Sequence, residues 1–272
     1  MKKEKEKKKK KVKLKFRFKL ILLITFVVIY AFTFGTKGIF TKDYVIKTKK
    51  LSNKYDSFKI VHFSDIHYNG NSSKSMIKKA VKKINKTNPD IVIFSGDLLY
   101  SSYSINDEDT EFIKKEFAKI QSNYGNYYVL GDEDDENTST ILNVSGFINL
   151  SNNEQKIYKD NKKPILLIND NCINYFENNK DSSYNILVTH DPDDFNDFKK
   201  YNFDMVLSGH TLNGQINIYG LKNALIDSKY KKTYQRIKNT KMYVNPGIGT
   251  GNLKVRLFNH PTINVYRFMI NY

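Results

Sequence analysis

Cysteine occurs once in these 272 residues, at Cys172, so no intramolecular disulfide can form and a thiolate zinc cage is excluded. No G-x-x-x-x-G-K stretch is present, which removes a P-loop nucleotide site. Tryptophan is absent, while Lys, Asn, Ile and Tyr abound; this bias reads as base composition of the coding DNA and is given no chemical meaning. Acidic residues are few beside basic ones, 28 against 45, for a formal charge of +17. That excess suggests nucleic acid until its position is considered. Twelve basic residues lie between Met1 and Lys19 against Glu4 and Glu6, a net of +10 that leaves +7 for the rest. The basicity is mostly a tail, and no nucleic-acid partner is expected.

Charge is missing altogether from "LILLITFVVIYAFTFG", Leu20 to Gly35. As a helix this run spans about 24 Å, against a hydrocarbon thickness of about 30 Å. Lys19 and Lys37 would snorkel to the two interfaces. A cleaved signal peptide is the rival reading, but the run is long for one, and Phe32 and Phe34 leave no small-x-small cleavage site. A single-pass signal anchor is therefore expected over 20–36, after a basic cytoplasmic tail at 1–19 drawn to anionic headgroups. The positive-inside rule then sends the rest of the chain outside the cell membrane. A juxtamembrane segment, 37–50, leads to one domain over 51–272, and 40% apolar content suffices for its core.

From Phe58 onward, short β-type runs alternate with helical patterns, the sequence form of an α/β fold. Strands are expected at 58–63, 91–95, 127–130, 185–189, 204–208 and 242–245. Met76, Ile77, Ala80, Val81 and Ile84 share one helical face, and Ile113, Phe117 and Ile120 mark a second helix. "KVRLF" and "INVYRFMI" near the C-terminus alternate like a closing antiparallel pair. The Asn-rich span from Asn137 to Asp181 is poorly periodic.

The chemistry lies behind the strands. Asp65-Ile66-His67 follows the first, Gly96-Asp97 the second, Gly131-Asp132-Glu133-Asp134 the third, His190 the fourth and Gly209-His210 the fifth. In an open α/β sheet the carboxyl ends of strands share one edge, where ligands bind. Each residue alone reads as a cap, a turn or a packed histidine. Their coincidence is the signal, because carboxylates crowded together repel unless cations lie between them, and mixed Asp and His donors suit divalent metals. "GDEDDEN" has alternating acids but lacks the glycine of a calcium loop. "GIGTG" has no helix behind it and is read as a turn. His62 and His260 are not expected to ligate.

In "SDIH", "SGDL", "LGDED", "VTHDPD" and "SGHTLNGQ" the chain resembles the calcineurin-like metallophosphoesterases, whose pattern is D-x-H, G-D, G-N-H-[DE], a lone H and G-H-x-H. The likeness runs from Phe58 to Ile270. "YVNPGIGTG" and "KVRLFNHPTINVYRF" look like the closing segments of a membrane-associated bacterial subgroup with a G-H-T-H-G-G-Q motif, some members of which cleave pyrophosphate bonds in lipid-linked nucleotides. The resemblance implies two stacked β-sheets between helices. It implies that Asp65, His67 and Asp97 hold a first divalent metal, and that Asp97, Asp132, His190 and His210 hold a second, with Mn, Fe or Zn the expected ions. Paired metals of this kind polarise a phosphoryl oxygen and lower the pKa of water between them.

Three positions depart from the pattern. Leu212 stands where the second histidine of G-H-x-H would complete the first metal, and a leucine cannot ligate; Asn213 could offer an amide oxygen if the turn were shifted. Asp132 replaces an asparagine and remains a good ligand. Glu133 replaces the histidine that serves the leaving oxygen, and it is the one catalytic candidate, with a cation-rich site working against its protonation. The expected activity is metal-dependent hydrolysis of a phosphoester or pyrophosphate bond at the membrane surface, lipid-linked substrates included. The alternative is a catalytically impaired binding or scaffold protein of the same fold.

Overall fold

Helix α1 (Lys2–Thr33) carries the basic tail and most of the uncharged run in one piece, about 48 Å long. By length and composition it is the one helix able to cross a membrane among the residues that the computed structural model describes, which are 2–151, 154–172, 184–218 and 221–270. Its last turns do not stand free of the domain. Ala31 is buried against Val255 and Leu257, with Val27, Tyr30 and Ile216 around them. The backbone N–H of Arg256 donates to the Ala31 carbonyl at 3.0 Å.

Two six-stranded sheets lie face to face. In the first, β1 (Phe40–Lys47), β12 (Thr262–Met269), β2 (Lys59–Phe63), β3 (Ile91–Ser95), β4 (Asn126–Val129) and β5 (Phe147–Asn149) follow one another across the sheet. The second runs β10 (Tyr234–Ile237), β11 (Thr240–Val244), β9 (Met205–Ser208), β8 (Tyr184–Val188), β7 (Ile165–Ile168) and β6 (Gln155–Ile157). Strands β2 to β5 are parallel, as are β7, β8, β9 and β11. Covered on both faces, β3, β7 and β9 read as nearly unbroken apolar runs rather than alternating ones.

One apolar core fills the space between the sheets, around Ile60, Ile93, Ile186 and Leu207. A second joins the first sheet to α2 (Asn71–Lys86), α3 (Asp107–Phe117) and α4 (Glu136–Val144) through Ile77, Ile113 and Ile141. A third covers the far face of the second sheet with Phe195 of α5 (Phe195–Phe198), Phe203 and Tyr230. The order is helices, sheet, sheet, helix, as the resemblance implied.

The chain ends differ from expectation. Segment 37–50, read as a connector, supplies β1, which pairs in parallel with β12 from Phe40↔Thr262 to Lys47↔Met269. "KVRLF" is not a strand and makes no antiparallel pair with β12; its one ladder contact is an isolated bridge, Ile216↔Leu257. The alternation there has another cause, since Val255 and Leu257 pack beneath α1 while Arg256 turns inward and is fully buried. The expected second helix ends at Phe117, and Ile120 is buried beyond it. The Asn-rich span holds α4, β5, β6 and β7, and its part after Cys172 lies outside the described residues.

Candidate metal centre

Because β2, β3 and β4 are parallel, their carboxyl ends deliver Asp65, His67, Asp97, Asp132 and Glu133 to one edge of the first sheet; β8 and β9 deliver His190 and His210 to the facing edge of the second. Asp65, His67, Asp97 and His210 adopt positive φ, between 45° and 64°, as do Leu212 and Asn213. Such backbone is uncommon outside glycine and costs on the order of 1–3 kcal/mol per residue, so the packed strands behind must hold it. Gly131 is required by proximity. A Cβ there would fall 2.2 Å from Asp97 Oδ1.

Two groups of ligand-capable atoms form, each within 4.8 Å: Asp65, His67 and Asp97, and Asp97, His190 and His210. Asp97 belongs to both. His67 Nε2 lies 3.9 Å from Asp65 Oδ1 and 3.8 Å from Asp97 Oδ2, and His190 Nε2 lies 3.1 Å from that same Asp97 oxygen. Asp132 reaches the cluster through His210, its Oδ2 3.1 Å from the ring Nδ1. All six residues assigned to metals in the sequence therefore come together, five in the two tight groups and Asp132 at the exposed rim. His62 and His260 stand apart: His62 sits between Ser95 and Tyr266, and His260 packs tilted against Phe40, ring centroids 4.4 Å apart.

Whether these donors fit a cation is answered by what they lack. Asp65 Oδ1 and His67 Nε2 are buried without any hydrogen-bond partner. Leaving such atoms unmet costs about 1–3 kcal/mol each, and a cation between them would satisfy both. The remaining ring nitrogens fix which face is turned inward. His190 Nδ1 donates to the Ser95 carbonyl at 2.7 Å, and His67 Nδ1 donates to Glu133 Oε2 at 3.1 Å, so with a cation in place each ring would offer it the Nε2 lone pair. The donor set fits one or two divalent ions.

Electrostatics agree. Burial pushes the Asp65 carboxyl upward against the pull of His190 and His67. Burial acts in the same sense on Asp97, but the hydrogen bond and charge of His190 and the charge of His67 hold it below the usual range. Burial alone would lower His190; Asp97 and Asp65 raise it instead to about 10. Without an ion, a proton on His190 balances the two carboxylates.

Leu212 is buried, and its Cδ2 lies 2.6 Å from the place a Cβ on Gly247 would take. The Asn213 amide nitrogen donates to Asn259 Oδ1 at 3.2 Å. No His, Asp or Glu joins the first group in place of the missing histidine among the described residues. Sequence reasoning assigned no role to Asp134. Its carboxylate accepts from the backbone N–H groups of Asp97, Leu98 and Gly131 at 2.7–2.8 Å, tying the β3 and β4 loops together. The signal was available, since Asp134 fills the [DE] position of the motif. Glu133 also holds more than a terminal contact: its backbone N–H donates to Asp97 Oδ1 at 3.1 Å, and Ser101 N–H donates to its Oε2 at 3.0 Å.

Comparison with known proteins bears on the same region. The family model described as calcineurin-like phosphoesterase matches residues 58–214, more than half of the chain. A Bacillus subtilis (strain 168) protein named uncharacterized metallophosphoesterase YkuE is 28% identical over 249 residues, covering 83% of this chain and 84% of its own. A Danio rerio protein named transmembrane protein with metallophosphoesterase domain is 24% identical over 239 residues; the match covers 79% of this chain but 54% of that relative. Among solved structures, a Thermus thermophilus protein aligns over 71% of this chain and 90% of its own, with a TM-score of 0.48 and 12% identity.

Proposed function

From the premise that the chain belongs to the calcineurin-like phosphoesterase family, we propose that it is a hydrolase of phosphoester or pyrophosphate bonds with a modified dinuclear site, working at a membrane surface. The observation that carries the reading is Asp97, shared by two donor groups beside two buried atoms, Asp65 Oδ1 and His67 Nε2, that have no hydrogen-bond partner within the protein.

In this reading Asp65, His67 and Asp97 hold one ion, and Asp97, Asp132, His190 and His210 hold the other, with Mn, Fe or Zn suited to the mixed oxygen and nitrogen donors. When bound, such ions supply Lewis acidity toward a phosphoryl oxygen and make water nucleophilic at neutral pH. Exposed Asp132 and half-exposed His210 leave the centre open on their side, where a phosphate can approach. Glu133, in place of a histidine, acts on His67 rather than on the leaving oxygen: its carboxylate fixes the ring so that Nε2 would be free to hold an ion, and its N–H steadies Asp97. It is a positioning residue.

A cavity of about 250 Å³ is lined by His67, by Phe32 of α1, and by Thr36 and Lys37 just after it. If α1 is the signal anchor, with its N-terminus in the cytoplasm, this cavity opens at the bilayer, and a lipid-linked phosphate is the substrate class it suits. Lysines 37 and 254 line it and would meet an anionic headgroup. A second reading, a binding protein with little turnover, is favoured by one observation: Leu212 stands at a ligand position, and no His, Asp or Glu replaces it in the first group among the described residues.

The test is direct. Full-length protein in detergent is analysed for bound metal and assayed with bis(p-nitrophenyl) phosphate and Mn²⁺. Metal content together with turnover that Asp97→Ala abolishes supports the hydrolase. Metal without turnover, unchanged by Leu212→His, supports the binding protein, and protein free of metal under all conditions removes both.

A further inference from the structure

The contact between α1 and the domain has a geometric consequence. Ala31, four residues before Gly35, touches Val255 and Leu257, and a Cβ on Gly35 would fall 1.9 Å from the Arg256 carbonyl oxygen. Residues 31–35 belong to the uncharged run. The apolar helix from Leu20 to Thr33 supplies only about 21 Å, less than the roughly 30 Å of a hydrocarbon core, so none of it can be spared as a stalk. Whatever surrounds Ala31 on the domain must sit at the depth where the bilayer ends.

The surface there is not that of a water-facing protein. Leu253 is 62% exposed and Phe258 is 60% exposed, on either side of the buried Val255 and Leu257. Ile218 and Phe34 are exposed nearby, Ile218 next to Asn217, whose N–H donates to the Leu257 carbonyl at 2.8 Å. Exposed Lys37 and Lys254 accompany them. Large apolar side chains ringed by lysines are the composition of an interfacial surface, where the former enter the acyl boundary and the latter meet anionic headgroups.

We infer that the domain face formed by Leu253, Phe258 and Ile218 around the exit of α1 docks into the lipid bilayer, making a second membrane contact beyond the helix itself. The inference rests on the reading of α1 as an anchor and is independent of whether the metal centre turns over. Docking would hold the mouth of the cavity beside His67 against the headgroups.

The chain contains no tryptophan, so single Trp probes can be read without background. Full-length Leu253→Trp, Phe258→Trp, Ile218→Trp and, as a control on exposed α4, Val144→Trp are reconstituted into phosphatidylcholine–phosphatidylglycerol vesicles with and without brominated acyl chains. Blue-shifted emission and bromolipid quenching at 253 and 258, with neither at 144, is the expected result. Emission at 253 and 258 matching the control overturns the inference, while flotation of the same samples reports separately whether α1 inserts. A reconstituted protein that floats but shows no quenching at any probe leaves the anchor standing and removes the docking face; a protein that does not float removes both. Activity loss in a probe variant bears on neither result.

Discussion

At the scale of residues, the centre is a set of donors whose orientation is decided by their neighbours. If Glu133 positions His67, Glu133→Ala should weaken Mn²⁺ binding about 10–100-fold in calorimetric titration, whereas Glu133→Gln, which still accepts from Nδ1, should bind nearly as wild type. Equal affinity in both variants with turnover lost in both would assign Glu133 to proton transfer instead. Leu212→His should raise metal content, measured by mass spectrometry, by restoring a nitrogen donor to the first group. His62 makes a different prediction. It is buried between Ser95 and Tyr266, and burial lowers it to about 3. The unfolded chain, with histidine near 6.5, takes up the proton first, so His62 contributes stability above that pH which is lost as pH falls below it. Between pH 6.5 and 5 the unfolding constant of the wild type should rise relative to that of His62→Gln, by up to about tenfold per pH unit, in denaturant titrations.

Elements decide which of these residues meet. The donors were legible because each follows an apolar run, and parallel strands send those runs to a common edge. The acidic run after β4 could be sorted only with the fold in hand: Asp134 gathers three backbone N–H groups, and Asp135 caps α4 by accepting from Thr138 N–H at 2.9 Å. Its alternation is structural, and no calcium loop is needed to explain it. The pairing of Glu133 with His67 joins loops from different strands, and no local pattern announces such contacts. Arg256 was hidden for another reason. An arginine in an alternating segment suggests a solvent face, yet its guanidinium donates to the Pro246 carbonyl at 2.8 Å and to the Gly249 carbonyl at 2.6 Å, while Gly249 N–H donates to the Asp65 carbonyl at 2.6 Å. A chain of contacts thus leads from α1 to a proposed ligand. Gly35→Ala, which forces a Cβ against the Arg256 backbone, should undock the helix end, seen as faster hydrogen exchange at 253–257 and 247–250 with the strands unchanged.

For the whole molecule, the basic tail and the apolar run were separable by composition, and the structure joins them in one helix. Removing residues 2–18 should leave the protein in the membrane fraction but weaken its preference for anionic over zwitterionic vesicles, an effect that vanishes in high salt. Vesicle flotation with both lipid compositions checks this, and loss of membrane association altogether would show that the tail, not the apolar run, is the anchor. What composition could not disclose is that the residues following that run enter the domain's own sheet. There β12 lies between β1 and β2. During synthesis, β1 and β2 therefore leave the ribosome flanking an empty slot that only Thr262–Met269 can fill. The nascent chain must keep those strand edges from pairing with anything else until β12 has emerged, so a deletion confined to Thr262–Met269 should burden quality control far more than its length suggests.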